Sequence, residues 1–426
     1  MASLAEISDK SLIVRDPDDE TVVGETAVTP LGDLDRILER GYRASREIAP
    51  PAHERARVLH EVADRVASDA EGHARLIARE GIKTIREARA EVKRAIETLR
   101  LSSEEAKRIG GSVVPLDQVP SGEGRIGWWV HRPAGLVVAI TPYNDPLNLV
   151  AHKLGPAFAA GCPIILKPHP QTPFSALRLV EHFHASGAGE DRIQIVIGGA
   201  ELGAALVTDE RPRIISFTGG REAGNRIARG VGLKQLLLEL GGVGVVAVAS
   251  DADLDLAADA ISSGAFWAAG QNCVRAQRIV IDESAAGELR EKLAARARQI
   301  RVGPKLDEAT DMGPLVDCAL ANSLSRSASA MVQAGGTVLA EGEIDGIHMQ
   351  PTWITGLPSG HPSLAQELFG PVATIEAACD GSDLLNQLSG GAGAIHAAIF
   401  TRSINMATAA FQRCGPSRQR QHRLSH

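Results

Sequence analysis

Continuous apolar runs alternate with amphipathic stretches through the middle of the chain. Buried strands are predicted at residues 136–140, 162–167, 193–197 and 214–217, and helices between them at residues 146–160, 173–185 and 202–209. Strands that are apolar on both faces and separated by helices are typical of a parallel sheet covered on both sides. A second alternation begins near Gly242, with strands at residues 245–248 and 277–282 and helices at residues 254–269, 283–299 and 318–334. The pattern predicts two α/β domains, with ligands beyond the carboxyl ends of the strands.

The chain before this alternation has a different pattern. Residues 1–30 predict short strands and turns, and residues 31–109 show helical spacing of apolar positions. Residues 111–133 predict two strands joined by a Gly/Pro turn. Trp128 and Trp129 are adjacent and therefore point to opposite faces of a strand, so a lone hairpin cannot bury both. We expect this hairpin to contact another subunit.

Composition excludes several classes of function. The net charge is −7, acidic and basic residues are interspersed, and aromatic residues make up 3% of the chain, which argues against nucleic-acid binding. Five cysteines without paired spacing predict neither a disulfide framework nor a zinc site. The N-terminus has no apolar signal region, and residues 235–249, the most apolar run, are interrupted by Glu239 and three glycines. These features predict a cytoplasmic protein that binds neither metal, nucleic acid nor membrane.

Cys273 follows a glycine-containing turn at the end of an alanine-rich run. A free cysteine is most often a small buried hydrophobic residue, so this position alone predicts no chemistry. Asn144, Lys167 and Gly219 each lie just past the end of a predicted strand, where a ligand would bind. Gly219 and Gly220 also precede a predicted helix, whose first amides would suit a pyrophosphate. Because glycines after strands are common turn residues, this signal is weak alone.

Six motifs together resemble the aldehyde dehydrogenase superfamily and occur in that family's order over residues 10–414. They are Ala139-Ile-Thr-Pro-Tyr-Asn-Asp-Pro, Leu166-Lys-Pro-x-x-Gln-Thr-Pro, Phe217-Thr-Gly-Gly, Leu238-Glu-Leu-Gly-Gly, Gly270-Gln-Asn-Cys and Glu367-Leu-Phe-Gly-Pro. The resemblance implies a Rossmann-like dinucleotide-binding domain at residues 1–110 and 134–241 and a small β-hairpin oligomerisation element at residues 111–133. It also implies a second α/β catalytic domain at residues 242–414.

The resemblance further implies oxidation of a small aldehyde to its acid with hydride transfer to NAD(P). Cys273 then matches the nucleophile, Glu239 the general base, and Asn144 with the Cys273 backbone N–H the donors to the oxyanion. Leucines flank Glu239, which favours a carboxylate shielded from solvent. The implied cofactor residues are Thr141, Pro142, Tyr143, Lys167, His169, Pro170, Gly199, Gly203, Phe217, Thr218, Gly219, Gly220, Leu240, Gly241, Glu367 and Phe369.

The sequence departs from the family at two places. Pro170 stands where many NAD-preferring members have a glutamate that would repel a 2′-phosphate, so we expect NADP to be accepted at least as well as NAD. After Cys414 the chain is polar and basic, without the family's terminal motifs, and residues 415–426 are expected to be an aberrant, disordered tail produced by a frame shift near Gly415. Loss of a terminal strand predicts weak stability or low activity, because a sheet edge stays unpaired.

Three functions stay open at this point. NAD(P)-dependent aldehyde oxidation is favoured. A CoA-acylating dehydrogenase is the first alternative, against which Glu239 argues as a hydrolytic base. A truncated, inactive dinucleotide-binding homologue is the second. The resemblance implies a homodimer or homotetramer, which the shortened C-terminus would weaken. The sequence does not identify the aldehyde.

Overall fold

The computed structural model describes residues 5–8, 10–340, 344–391 and 393–414. The chain divides into two compact units, which we call the N-terminal unit (residues 5–81 and 85–239) and the C-terminal unit (residues 82–84 and 240–414). The predicted tail at residues 415–426 lies outside the described residues.

The N-terminal unit opens with strands and helices that flank its central sheet. An antiparallel sheet is formed by β1 (Ala5–Ile7), β2 (Ser11–Arg15) and β3 (Val22–Ala27). Four helices follow: α1 (Leu34–Arg46), α2 (Ala52–Ser68), α3 (Ala70–Glu80) and α4 (Ile85–Arg108). A hairpin of β4 (Gly111–Val114) and β5 (Gly127–Val130) follows α4. Trp128 and Trp129 are 71% and 47% exposed, so the hairpin buries neither.

A five-stranded sheet with the order β10-β9-β6-β7-β8 forms the centre of this unit. The strands and helices alternate as β6 (Val137–Ile140), α5 (Asn148–Ala159), β7 (Ile164–Lys167), α6 (Pro173–Ala185), β8 (Ile193–Ile195), α7 (Ala200–Thr208), β9 (Ile214–Gly219), α8 (Arg221–Gly230) and β10 (Gln235–Leu240). β6 pairs in parallel with both β7 and β9, and β7 pairs in parallel with β8. The predicted parallel sheet is confirmed. At its carboxyl edge, Asn144 lies in the loop after β6, whereas Lys167 and Gly219 are the last residues of β7 and β9 rather than the residues just past them.

Buried carboxylates fix the beginnings of two helices on this sheet. Glu80 accepts the backbone N–H groups of Phe174 at 2.7 Å and Ser175 at 2.8 Å in the first turn of α6. Glu91 accepts those of Leu147 at 2.8 Å and Asn148 at 2.9 Å at the start of α5. Free N–H groups at a helix start need such acceptors. The loop that carries Asn144 therefore leads into an anchored helix.

The C-terminal unit is built on a six-stranded sheet with the order β13-β16-β17-β12-β11-β18. Its elements are β11 (Val245–Val248), α9 (Leu254–Phe266), β12 (Arg278–Asp282), α10 (Glu283–Gln299), α11 (Cys318–Gln333), β13 (Thr337–Ala340), β14 (Ile344–Asp345), β15 (His348–Met349), β16 (Thr352–Thr355), β17 (Val372–Ala378), α12 (Gly381–Leu388), β18 (Ala397–Phe400) and α13 (Ile404–Arg413). All pairs in the main sheet are parallel except β13 with β16. The second predicted α/β unit is therefore present.

The alanine-rich run at residues 254–269 is shorter as a helix than predicted. Asp253 caps α9 by accepting the N–H of Leu256 at 3.1 Å, but α9 ends at Phe266. Ala268 and Ala269 then adopt left-handed backbone angles, each with φ 52°. Alanine favours a helix at these positions, so the ending reflects contacts made by the loop that follows. Among the described residues, no helix is long and apolar enough to cross a bilayer.

Candidate active site

Two buried hydroxyl groups lie where strands of the N-terminal sheet end. Thr141 follows β6, and its backbone N–H donates to the carbonyl oxygen of Lys167 at 3.2 Å. Thr218 lies near the end of β9. Neither Oγ1 atom has a hydrogen-bond partner among the described residues. Because a buried hydroxyl without a partner is costly, these atoms fit a polar ligand such as a dinucleotide at this edge.

Lys167 is the buried cation of the same edge. It is 5% exposed, and burial lowers its pKa to about 8. Its Nζ donates to the carbonyl oxygen of Pro168 at 3.4 Å. Gly203 of α7 lies beside its aliphatic stem, where a Cβ would be 3.5 Å from Lys167 Cδ. Gly199 precedes α7 as its N-cap residue. The lysine is therefore held next to a helix start, an arrangement that suits a phosphorylated ribose.

Tyr143 and His169 pack against each other, with ring centroids 5.3 Å apart in an edge-to-face arrangement. Burial, and then the charge of Lys167, lower the pKa of His169 to about 4. His169 is thus neutral at pH 7 and supplies no positive charge for a phosphate. Pro170 follows it, partly buried. Of the residues considered for a 2′-phosphate in this loop, Lys167 alone carries charge.

Gly219 is the last residue of β9 rather than the first residue after it, and Gly220 follows the strand. Gly219 lies over the ring of Phe217, where a Cβ would be 2.6 Å from Phe217 Cζ. Gly220 is the N-cap residue of α8. Apart from its chain neighbours, no described residue has an atom within 4 Å of the position a Gly220 Cβ would take. Gly220 therefore leaves space beside the start of α8, as a ligand phosphate there would require.

Asn144 and Glu239 also belong to the N-terminal unit. Asn144 is buried, in the loop between β6 and α5. Glu239 is exposed, so the expectation that its leucine neighbours shield it is wrong. The reason is that β10 is the last strand of its sheet and alternates exposed with half-buried positions. A period of two gives Glu239 the solvent-facing side.

Sequence reasoning missed two residues of α5 that interact with Glu239. Burial lowers the pKa of Lys153, and the charge of Glu239 opposes that shift. The pKa of His152 is likewise lowered by burial and raised in part by Glu239. Lys153 is 8% exposed. The sequence signal for Lys153 was its position on the apolar face of a helix that begins four residues after Asn144.

In the C-terminal unit, Cys273 follows a tightly wound turn. Gly270, with φ 69°, continues the left-handed conformation of Ala268 and Ala269. A side chain at Gly270 would overlap the carbonyl oxygen of Gly370. Non-glycine residues in this conformation cost energy and persist only where surrounding contacts enforce them. The turn is therefore held in place by its packing.

Gln271 anchors this turn from inside the unit. It is fully buried, and its Nε2 donates to the carbonyl oxygens of Ala268 at 3.2 Å and Pro314 at 3.1 Å. Its Oε1 accepts the N–H of Val316 at 3.0 Å. Asn272 Oδ1 accepts the N–H of Val274 at 3.0 Å, which closes a turn around Cys273. Cys273 is half-buried, in a loop fixed on both sides.

Glu367 and Phe369 lie in the loop before β17. Gln277 binds this loop twice: its Nε2 donates to the carbonyl oxygen of Gln366 at 2.7 Å, and its Oε1 accepts the N–H of Leu368 at 2.9 Å. Phe369 has φ 33°, a strained value for an aromatic residue. Leu240 and Gly241 lead into this unit, and Gly241 lies against the Glu367 carboxylate.

The structure thus groups the candidates by unit. Asn144, Glu239 and the residues at the strand ends belong to the N-terminal unit, while Cys273, Gly241, Glu367 and Phe369 belong to the C-terminal unit. The first set contains a cation, hydroxyl groups and glycines, and the second contains a thiol and a carboxylate.

Known proteins resemble this chain over nearly its whole length. A family model described as the aldehyde dehydrogenase family matches residues 5–415. An aspartate-semialdehyde dehydrogenase 1 from Pseudomonas canavaninivorans is 41% identical over 94% of this chain and 85% of the relative. A 3-sulfolactaldehyde dehydrogenase from Priestia megaterium is 36% identical over 90% and 80%. The crystal structure of an NADP-dependent glyceraldehyde-3-phosphate dehydrogenase from Bacillus halodurans, complexed with NADP, has a TM-score of 0.91 at 29% identity over 95% and 85%.

Proposed function

The chain belongs to the aldehyde dehydrogenase family and oxidises an aldehyde to a carboxylic acid with hydride transfer to NAD(P), and we propose that Cys273 is its nucleophile. The observation that carries this proposal is the strained turn Ala268–Gly270, locked by Gln271, immediately before the thiol. Two other cysteines have thiols whose pKa is raised. Asp383 raises the pKa of the Cys379 thiol, and burial raises that of Cys414. A raised thiol pKa leaves less of the reactive thiolate.

The proposed reaction uses three side chains in turn. The Cys273 thiolate attacks the aldehyde carbon and forms a thiohemiacetal, whose oxyanion accepts hydrogen bonds from the Asn144 side-chain amide and the Cys273 N–H. Bound NAD(P) would supply the acceptor for the hydride that leaves this carbon, which would convert the thiohemiacetal to a Cys273 thioester. Glu239 then removes a proton from water as the water oxygen attacks the thioester; the acid leaves, the Cys273 thiolate is restored, and Glu239 passes the proton to solvent. An exposed carboxylate is accessible to the water that it has to activate.

Rapid-mixing kinetics of matched variants test these roles. We expect Cys273→Ser to show no burst of reduced cofactor, while the control Cys379→Ser behaves like the unmodified protein. Asn144→Ala should slow the burst by about 10²–10³, the usual effect of removing an oxyanion donor. Glu239→Gln should keep the burst and lose steady turnover. A normal burst in Cys273→Ser would refute the nucleophile, and equal loss of burst and turnover in Glu239→Gln would refute its hydrolytic role.

Product analysis separates hydrolysis from acyl transfer to CoA. We propose that the product is the free acid, because Glu239 is present and exposed to solvent. The yield of acid should be unchanged by CoA, and no acyl-CoA should form. Formation of acyl-CoA would favour the CoA-acylating alternative, and absence of any reduced cofactor would favour the inactive homologue.

Each unit contains residues whose chemistry fits part of NAD(P). Lys167, the Thr141 and Thr218 hydroxyls and the amides after Gly220 fit the adenosine half, and Glu367 with Phe369 fits the nicotinamide ribose. We propose that NADP is used at least as well as NAD, since Lys167 is cationic and Pro170 provides no carboxylate. The ratio of kcat/KM for NADP to kcat/KM for NAD tests this. Pro170→Glu should lower that ratio at least about tenfold by repelling the 2′-phosphate.

We propose that the substrate is a short aldehyde with a second, negatively charged group. Support comes from the names of the two relatives described above, which specify aspartate semialdehyde and 3-sulfolactaldehyde. Succinate semialdehyde and butanal have the same number of carbons and differ in the terminal carboxylate. We expect kcat/KM to be at least about tenfold higher for the semialdehyde, about the effect of one charged contact. Equal values would contradict an anionic substrate class.

A further inference from the structure

Two segments of the C-terminal unit are joined by side chains from one of them. We call residues 270–277 the nucleophile segment and residues 366–372 the Glu367 segment. Gly270 lies against the carbonyl oxygen of Gly370, and Gln277 binds the backbone on both sides of Glu367. Arg275 makes a third connection, because its Nη2 donates to the carbonyl oxygen of Val372. The chain thus couples the position of the thiol to that of Glu367.

Unlike Gly270 and Gln277, which make the other two connections, Arg275 carries a buried charge. It is 3% exposed, and its Nε and Nη1 have no hydrogen-bond partner among the described residues. Burial lowers its pKa to about 9, and the charge of Glu367 opposes that shift. A buried cation with two free donors is costly. A neutral side chain could make the hydrogen bond to the Val372 carbonyl oxygen, so that contact does not explain why residue 275 is positively charged.

We propose that Arg275 is a positioning residue that directs the Glu367 carboxylate toward the nicotinamide ribose. The inference rests on the proposed role of Glu367 as a ligand of that ribose. The hydrogen bond to Val372 fixes the guanidinium two residues after the thiol, and its attraction draws the carboxylate toward one orientation. Arg275 thereby transmits the position of the nucleophile segment to the cofactor, without contacting the cofactor itself.

Direct binding of reduced cofactor, measured by fluorescence titration without substrate, tests the proposal. The probes are NADPH and 2′,5′-ADP, which lacks the nicotinamide ribose; NADH and ADP replace them if NADH binds more tightly. We expect Arg275→Met to weaken binding of the reduced cofactor about tenfold, within the range of coupling energies between interacting residues. Binding of the adenosine probe should be unchanged. Loss of both affinities in equal measure would overturn the proposal.

A double-mutant cycle with Glu367→Gln shows whether Arg275 acts through Glu367. In the Glu367→Gln background, Arg275→Met should change the affinity less than twofold. If Glu367→Gln weakens binding and the effects of the two substitutions on affinity are fully additive, the proposed role of Arg275 is refuted while that of Glu367 stands. No effect of Glu367→Gln would refute the proposed role of Glu367, and this inference with it.

Arg275→Lys is the control for a folding defect in Arg275→Met. It keeps the positive charge and should retain most of the affinity for the reduced cofactor, while circular dichroism and thermal unfolding report the fold. An Arg275→Lys variant that folds normally but binds as weakly as Arg275→Met would overturn the electrostatic role. Rescue by lysine supports it even if Arg275→Met is unstable.

Discussion

Gly241 lies directly against the carboxylate of Glu367, so closely that a Cβ at residue 241 would overlap both carboxylate oxygens. The obstructed group is the end of a flexible side chain, which can rotate away. We therefore expect Gly241→Ala to displace the carboxylate and raise the dissociation constant for NAD(P)H about tenfold. The free energy of unfolding should change by less than about 1 kcal/mol.

Gly287→Ala in α10 is the matched control for Gly241→Ala, because beyond the helix's own backbone no described residue has an atom within 4 Å of its Cβ position. It should leave cofactor affinity unchanged and stabilise the helix by up to about 1 kcal/mol. In a Glu367→Ala background, Gly241→Ala should have no further effect. A large additional loss there would show that the new methyl group obstructs the cofactor itself.

The pKa of about 8 for Lys167 predicts a pH-dependent affinity for NADP. Below this pH the ammonium is charged and attracts a 2′-phosphate; above it the attraction is lost. The dissociation constant for NADP should therefore rise between pH 7 and pH 9 by a larger factor than that for NAD. Calorimetry on the unmodified protein and on Lys167→Met measures this. Lys167→Met should bind NADP weakly, with a dissociation constant that does not change over this pH range. If the variant showed the same pH dependence as the unmodified protein, Lys167 would not be the titrating group.

The pair His73 and His182 predicts loss of stability in acid. Their Nε2 atoms are 3.0 Å apart, and burial, together with Arg178 and His182, lowers the pKa of His73 to about 4. The unfolded chain binds the proton near pH 6.5, so this contribution is complete above pH 6.5 and declines as the pH falls toward 4. We expect His73→Leu to reduce the difference in unfolding free energy between pH 7 and pH 4.5 by roughly 2 kcal/mol.

Urea unfolding at both pH values measures the effect of His73→Leu. Burial raises the pKa of Glu80 to about 7, which gives stability the opposite slope with pH. Because both proteins retain Glu80, its contribution cancels when the two slopes are subtracted. Identical slopes for the variant and the unmodified protein would exclude His73 as a source of acid sensitivity.

The hairpin β4–β5 predicts self-association. Trp128 and Ile126 are 71% and 82% exposed, in a four-residue strand and the turn before it. Such apolar surface is stabilised by a partner, so we expect Trp128→Ser to shift the molar mass from light scattering toward the monomer at micromolar concentration. Arg125→Ser, an exposed polar position in the same hairpin, is the control. A monomeric unmodified protein would contradict this prediction.

Local patterns predicted the regular elements well. Residues 173–185 and 283–299 are helices with the predicted limits, α6 and α10. Proline suits the first position of a helix, and in α10 the N-cap Asp282 accepts the N–H of Ser284 at 3.1 Å. These signals lie within a few residues of the element they specify, so the sequence alone contains them.

Features that depend on distant contacts were not predictable in the same way. The solvent exposure of Glu239 follows from the position of β10 at the end of its sheet, which its flanking leucines do not reveal. The helical run ends at Phe266 because Gln271 reaches Pro314, 43 positions away in the chain. The connection of Arg275 to Val372 spans 97 positions. Motifs predicted the reactive groups, whereas the residues that hold them in place come from parts of the chain that no local pattern joins.

The left-handed turn Ala268–Gly270 also bears on how such an enzyme could evolve. Each alanine held in that conformation costs about 1–2 kcal/mol, which glycine would largely avoid, less the entropy that glycine gains on unfolding. Directed evolution for heat tolerance alone could therefore raise stability by replacing these alanines with glycine in the backbone just before Cys273. Lineages with these replacements would trade turnover for durability, and screening for both properties together would keep the alanines in place.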